Sequence, residues 1–203
     1  MKRLNYIDLG VHKGQEMDLV LEQYEKYEDK FDLIIYGIEA YKAHFEGLKN
    51  KYKNNNRVKL FNNAITHKTG FTNLYLSIGG SQLGNSLYSS KRHVNPKSKH
   101  SVFGYTFSEF VSKHVEDFES SVNVLKLNIE GAELAVYENL IENNMRKHID
   151  LFCGHPGHDI EKVSELQIKR DRYYSIMKEH DIKLSYLCEA NLLNSINIFE
   201  AVS

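Results

Sequence analysis

The segment Val122-Asn123-Val124-Leu125-Lys126-Leu127-Asn128-Ile129-Glu130-Gly131-Ala132-Glu133 sets polar groups at alternate positions of an apolar run. Residues two apart on a strand share a face. Lys126, Asn128 and Glu130 are therefore expected to line one side of a strand over Val122–Ile129, out to its carboxyl end. Such groups are costly in an apolar setting unless solvated or paired. A salt-linked structural cluster is one reading; projection towards the carboxyl end favours a substrate site. There a lysine can orient an anionic or hydroxyl oxygen and a carboxylate can take a proton, whereas an amide can only position.

Asp8-Leu9-Gly10-Val11-His12-Lys13-Gly14 has the pattern D-x-G-x-x-x-G, not the G-x-G-x-x-G of dinucleotide sites. Gly10 and Gly14 let backbone approach a ligand closely, and Asp8 would accept from a cationic or hydroxylated group. Glu39 ends the apolar run Leu33–Ile38, where an acidic side chain can take both hydroxyls of a ribose. Asn63 and Ala64 follow at the end of the next strand, where a base would lie, although Asn63 could equally make an Asx turn. In His155-Pro156-Gly157-His158-Asp159, His155 and His158 are candidate bases near neutral pH. H-x-x-H with one carboxylate is not a specific metal signature, so no metal site is assigned.

Alternating elements are needed to position these residues. Leu4–Leu9 reads as a first strand, and a helix from Gly14 follows with Met17, Val20, Leu21, Tyr24 and Tyr27 at helical spacing. Leu33–Ile38 reads as a strand buried on both faces. A helix over Tyr41–Tyr52 precedes strands over Val58–Ile65 and Phe71–Ser77. Ile78–Ser101 lacks periodicity and reads as a long loop. Beyond Val122–Ile129 come a helix over Ala132–Ile141, a strand over Ile149–Cys153 and a helix from an Asp159 cap to about Glu179. Ile182–Leu187 and Ile196–Val202 read as two strands able to pair antiparallel. This alternation predicts a doubly wound α/β sheet, with ligands at the carboxyl ends of its strands.

A chain of 203 residues, 41% hydrophobic, fits one globular domain over 1–203 and excludes disorder throughout. Two cysteines, Cys153 and Cys188, exclude a disulfide scaffold and read as reduced, buried thiols. No apolar run is long enough to span a membrane, and Asp8 interrupts the region a signal peptide keeps apolar. A soluble, cytoplasmic protein is expected. The net charge of −1 hides an asymmetry: from Gly47 to Ser108 there are ten Lys and Arg residues and no Asp or Glu. This suits an anionic partner, or lysines scattered over solvated faces.

Five segments, in order, resemble FkbM-type S-adenosylmethionine-dependent methyltransferases: Tyr6–Gln15, Gly37–Ala40, Asn63–Ile65, Thr106–Phe110 and Leu125–Glu133. The last is similar to the family's K-x-D-x-E-G-x-E, with Asn128 in place of the usual Asp. The resemblance implies an α/β, Rossmann-like class I methyltransferase fold: a seven-stranded, mostly parallel sheet with a C-terminal antiparallel hairpin and helices on both faces. It implies S-adenosyl-L-methionine held by Asp8, Gly10, Gly14, Glu39, Asn63 and Ala64. It further implies methyl transfer to a hydroxyl of a carbohydrate or other small polyhydroxylated acceptor, one that can be anionic, with Lys126, Asn128, Glu130 and His155 at the reacting end. Two alternatives stand beside this reading. One is an RNA methyltransferase, disfavoured because no RNA-binding module is recognisable. The other is a catalytically weakened S-adenosylmethionine-binding protein, prompted by Asn128.

Overall fold

The computed structural model describes residues 1–79, 84–154, 160–187 and 196–203. The chain alternates as expected through β1 (Lys2–Leu9), α1 (Gln15–Tyr24), β2 (Phe31–Ile38), α2 (Lys42–Tyr52) and β3 (Val58–Phe61). A small insertion follows, made of β4 (Ala64–Ile65), β5 (Gly70–Ser77) and β6 (Val94–Tyr105). The main alternation resumes with α3 (Phe107–His114), β7 (Val122–Leu127), α4 (Glu133–Glu142) and β8 (Leu151–Gly154). Two helices, α5 (Ser164–Gln167) and α6 (Arg170–Glu179), lead to β9 (Leu184–Ser185) and α7 (Ile198–Ala201).

The main sheet has the order β3-β2-β1-β7-β8-β9, and every pairing in it is parallel. Strand order reverses between β1 and β7, so the switch point lies between Leu9 and Leu127, which are register partners. Alternation puts Leu4, Tyr6, Leu33 and Val124 on one face, against Met17, Val20, Leu48 and Phe199. Ile7, Leu9, Leu125 and Phe152 face the other way, against Phe107, Phe110, Tyr137 and Tyr173. Burial on both faces explains why β1, β2 and β7 are apolar almost throughout.

Several expectations are corrected. The sheet has six described strands rather than seven, and no antiparallel hairpin closes it among the described residues: β9 runs parallel to β8. Residues 196–202 are not a strand. Asn197 accepts from the amides of Phe199 (3.1 Å) and Glu200 (3.3 Å), and this cap starts α7. Ile198 and Phe199 are then buried on Tyr24, Tyr27 and Phe31. The strand expected over Val58–Ile65 divides at Asn62 and Asn63. Asn62 donates to the carbonyls of Glu39 (2.8 Å) and Ala40 (3.2 Å), and Asn63 to that of Phe103 (3.0 Å), so the chain leaves one sheet for the other. The stretch read as a loop to Ser101 contains most of β6, which pairs antiparallel with β5. The helix expected up to Glu179 is broken, because Val163 is extended and forms a bridge with Lys91. Asp159 and Cys188 lie outside the described residues. Among those described, no helix is long and apolar enough to cross a membrane.

At the amino ends of the central strands, Asn5 and Asn123 are fully buried register partners. Asn5 donates to Asn123 Oδ1 at 3.0 Å. Asn123 donates to the carbonyls of Phe118 (2.6 Å) and His148 (2.8 Å), tying the loops before β7 and β8 to the sheet. Asn123→Leu leaves these buried groups unpaired. It should cost about 3–5 kcal/mol of unfolding free energy in denaturant titrations; a loss under about 1 kcal/mol would mean that water replaces the side chain.

Candidate functional site

A cleft of about 700 Å³, counting its open mouth, lies at the carboxyl ends of β1, β2, β4 and β7. Its walls include Gly10, His12, Glu39, His44, Asn63, Ala64, Asn128 and Glu130. These residues come from four separate stretches of sequence. Asp8, Gly14 and Lys126 are not among its walls.

Lys126 instead points into the sheet interior. Its Nζ lies 2.8 Å from Asp8 Oδ1, across the β1–β7 register, and donates to the carbonyl of Gly10 at 2.8 Å. Both side chains are almost wholly buried. Burial pushes Asp8 up to about 6 although Lys126 draws it down. Burial pulls Lys126 downward, but Asp8, Glu16 and Glu39 together hold it above its ordinary value. The pair thus anchors the turn after β1.

That turn is closely packed. The amides of Gly10 and Val11 donate to the carbonyl of Ile38 at 3.0 and 3.3 Å, and that of Asn128 to Leu9 at 3.1 Å. Gly10 has φ +87°, and a Cβ there would stand 2.1 Å from the carbonyl oxygen of Asn128. Only glycine fits both demands. Gly14 serves helix packing: at φ +83° a Cβ would lie 2.5 Å from the Tyr52 hydroxyl.

Glu39 is 7% exposed. Its Oε2 accepts from the His12 amide and its Oε1 from the Tyr41 amide, both at 2.8 Å. Burial drives its carboxyl up to about 7 against these two bonds. His44 Nδ1 lies 3.9 Å from Oε1. Burial, with His12 and Lys13 nearby, lowers His44 to about 4, so it is neutral at pH 7 and forms no ion pair with Glu39.

The expected alignment of Lys126, Asn128 and Glu130 on one strand face is corrected. β7 ends at Leu127, and Glu130 has φ +59° in the following turn. Asn128 and Glu130 face the cleft while Lys126 faces inward. Glu133, to which no role was assigned from sequence, shapes this turn: its Oε1 accepts from the Ile129 amide (2.8 Å) and its Oε2 from the Gly131 amide (2.9 Å). The signal was a glutamate in the first turn of a helix, where a carboxylate meets unsatisfied amides.

Residues 84–93 cover the Glu130 side. Gly84, Asn85 and Leu87 line the cleft, and Ser86 Oγ donates to the Glu130 carbonyl at 2.7 Å. Lys91, buried, is ion-paired with Glu130 Oε2. The acid-free segment is therefore less available to anions than its count implies. Lys49, Lys51, Arg57, Lys59 and Lys91 each lie within ion-pair distance of a carboxylate outside it. His155 and His158 lie outside the described residues. Cys153 is buried, which pushes its thiol up to about 12. Among the described residues no group of three or more His, Cys, Asp or Glu is placed to hold a metal ion.

The methyltransferase FkbM domain model matches residues 8–153. The chain belongs to this family. No curated protein and no solved structure matches it. The FkbM match starts at Asp8 and ends at Cys153, spanning β1 to β8, and so contains every described wall of the cleft.

Glu39 gives this FkbM protein a definite pH signature. Its folded pKa, about 7, lies above the ordinary 4.5, so the folded state holds a proton that the unfolded chain releases between these values. The stability from that proton is complete below the unfolded value and is lost as pH rises through about 7. The unfolding free energy of wild type minus that of Glu39→Gln should fall by roughly 1 kcal/mol per pH unit across this window. Denaturant midpoints at several pH values check this; a difference independent of pH would return Glu39 to an ordinary carboxyl.

Proposed function

We propose that the protein is an S-adenosylmethionine-dependent O-methyltransferase acting on a hydroxyl of a carbohydrate or similar polyhydroxylated acceptor. The observation that carries this reading is Glu39, a buried carboxylate on the cleft wall beside the glycine turn. Each of its oxygens accepts one amide, which leaves lone pairs for the two hydroxyls of a ribose. Ile38, Ala40, Ala64, Ile65 and Leu74 supply apolar walls for a base. Asn63 uses its amide nitrogen on Phe103, leaving Oδ1 to accept from an exocyclic amine. These residues fit the cofactor.

When bound, the cofactor supplies a methyl carbon on a sulfonium. The protein's part is to hold an acceptor oxygen in line with that carbon and to take the hydroxyl proton, because positioning supplies much of the acceleration. Glu130 Oε2 is held by Lys91, which leaves Oε1 to receive the proton. Asn128, on the same wall, can hydrogen-bond a neighbouring hydroxyl but cannot act as a base. Asp8 and Lys126 act indirectly, by fixing the turn that carries Gly10. Because Glu130 neutralises Lys91, the acceptor group at this wall is better read as an uncharged hydroxyl than as an anion.

Glu39→Ala should weaken binding of S-adenosylhomocysteine at least tenfold by calorimetry, the loss of one or two hydrogen bonds to a charged group. Undiminished affinity would end the ribose assignment, and tighter binding of NAD would end the cofactor class. Glu130→Gln should lower turnover by about 10²–10⁴-fold with cofactor affinity retained; unchanged turnover would move the base to His155 or His158. Asn128→Asp restores the carboxylate usual in the resembled motif and should preserve or raise activity. Should the wild type bind cofactor yet methylate nothing while Asn128→Asp gains activity, the weakened binding protein becomes the correct reading.

A further inference from the structure

The three-stranded sheet β4-β6-β5 has one face turned to the cleft and one turned away. Across β5 and β6, Phe71 stands opposite Phe103, Asn73 opposite Ser101 and Tyr75 opposite Lys99. Alternation puts Leu74 and Val102 on the other face, where they are buried, and Leu74 reaches the cleft. The outward face therefore carries an aromatic row. The rings of Phe71 and Phe103 are 5.2 Å apart and those of Phe103 and Tyr105 are 5.0 Å apart. Phe71 is 79% exposed. Lys113 Nζ lies 4.9 Å from the Tyr105 ring centre. Lys68, Lys97 and Lys99 are exposed, and among the described residues none lies within ion-pair distance of a carboxylate. With Lys53 and Arg92, also exposed, they are the part of the acid-free segment outside the ion pairs described above.

We propose that this outward face docks an anionic glycan, a chain of sugar rings with carboxylate or sulfate groups on some of its units. The exposed Phe71 ring and the half-buried Phe103 ring beside it offer flat apolar surface to the C–H faces of sugars, Asn73 and Ser101 offer hydrogen bonds to hydroxyls, and Lys99 meets the acidic groups. The charge layout favours sparse anions. Glu109, exposed and hydrogen-bonded to Thr69 beside the row, would repel a chain bearing a phosphate at every unit. Leu74, on the other face of the same sheet, lines the cleft, so a chain held here lies one sheet away from the cleft and can offer a hydroxyl to it. In that last respect the inference rests on the acceptor reading above; the docking itself does not.

A hyaluronan hexasaccharide, with a carboxylate on every second sugar, is a suitable probe, with maltohexaose as the neutral control and hexauridylate as the polyphosphate. In calorimetric or NMR titrations of the full chain, the hyaluronan hexasaccharide should bind more tightly than either, and added salt should weaken it. Phe71→Ser and Lys99→Glu alter exposed residues and should each reduce its affinity about fivefold or more, the scale of one exposed contact. Neither should change S-adenosylhomocysteine affinity. Absence of hyaluronan hexasaccharide binding, binding indifferent to both substitutions, or tighter binding of hexauridylate would overturn the proposal. Loss of S-adenosylhomocysteine binding by the wild type would overturn the cofactor reading and leave this one standing.

Discussion

The ion pair between Asp8 and Lys126 sets the geometry on which the cleft depends. It joins the two central strands at the point where strand order reverses, and its lysine also holds the Gly10 carbonyl. Isolated in that interior, either charge would be strongly penalised, and a variant lacking one partner leaves the other at a cost of about 3–5 kcal/mol. Such a pair tolerates little change in register, because a slip of one residue turns a strand's side chains to the opposite face. The two carboxyl ends it joins therefore stay aligned, with the amide of Asn128 on Leu9 and the Gly10 turn against the Asn128 carbonyl.

Two further carboxylates extend this frame. Glu39 gathers the amides of His12 and Tyr41 and so holds the turn after β1 to the end of β2. Glu133 gathers those of Ile129 and Gly131 and so fixes the turn after β7. Each fills the role of an amide acceptor at a loop that would otherwise leave buried donors unpaired. The difference between them is access. Glu39 lines the cleft and Glu133 does not, so the same local chemistry yields a cleft-facing group in one place and a turn-fixing one in the other.

The sequence was most legible where a local pattern decides the outcome. The apolar runs of β1, β2 and β7 mark strands buried on both faces, and the position of Glu39 at the end of one of them places it on the cleft. Outcomes set by distant partners were not legible. Lys126 turns inward because Asp8 lies opposite it in a neighbouring strand, and periodicity within β7 carries no information about that neighbour. Lys91 looked like a free cation because Glu130, its partner, lies 39 positions away. The C-terminal error has the same origin. The run after Asn194 has strand composition, but the Asn197 cap and an aromatic pocket at Tyr24, Tyr27 and Phe31 make a helical turn the better burial.

The insertion between β3 and α3 reaches two parts of the cleft wall. Its β4 supplies Ala64 and Ile65 to the apolar wall, and its 84–93 stretch supplies Lys91 to Glu130 and Ser86 to the same residue's carbonyl. Lys91 and Ser86 together hold Glu130 in a left-handed conformation that a side-chain-bearing residue seldom adopts. Strain of this kind persists only where surrounding contacts over-determine it. The Glu130 carboxylate is therefore positioned by a segment distant in sequence from the strand and helix that flank it. Substitutions in residues 84–93 should consequently act on the Glu130 end of the cleft before they disturb Glu39, whose amide partners, His12 and Tyr41, belong to the main sheet's own turns.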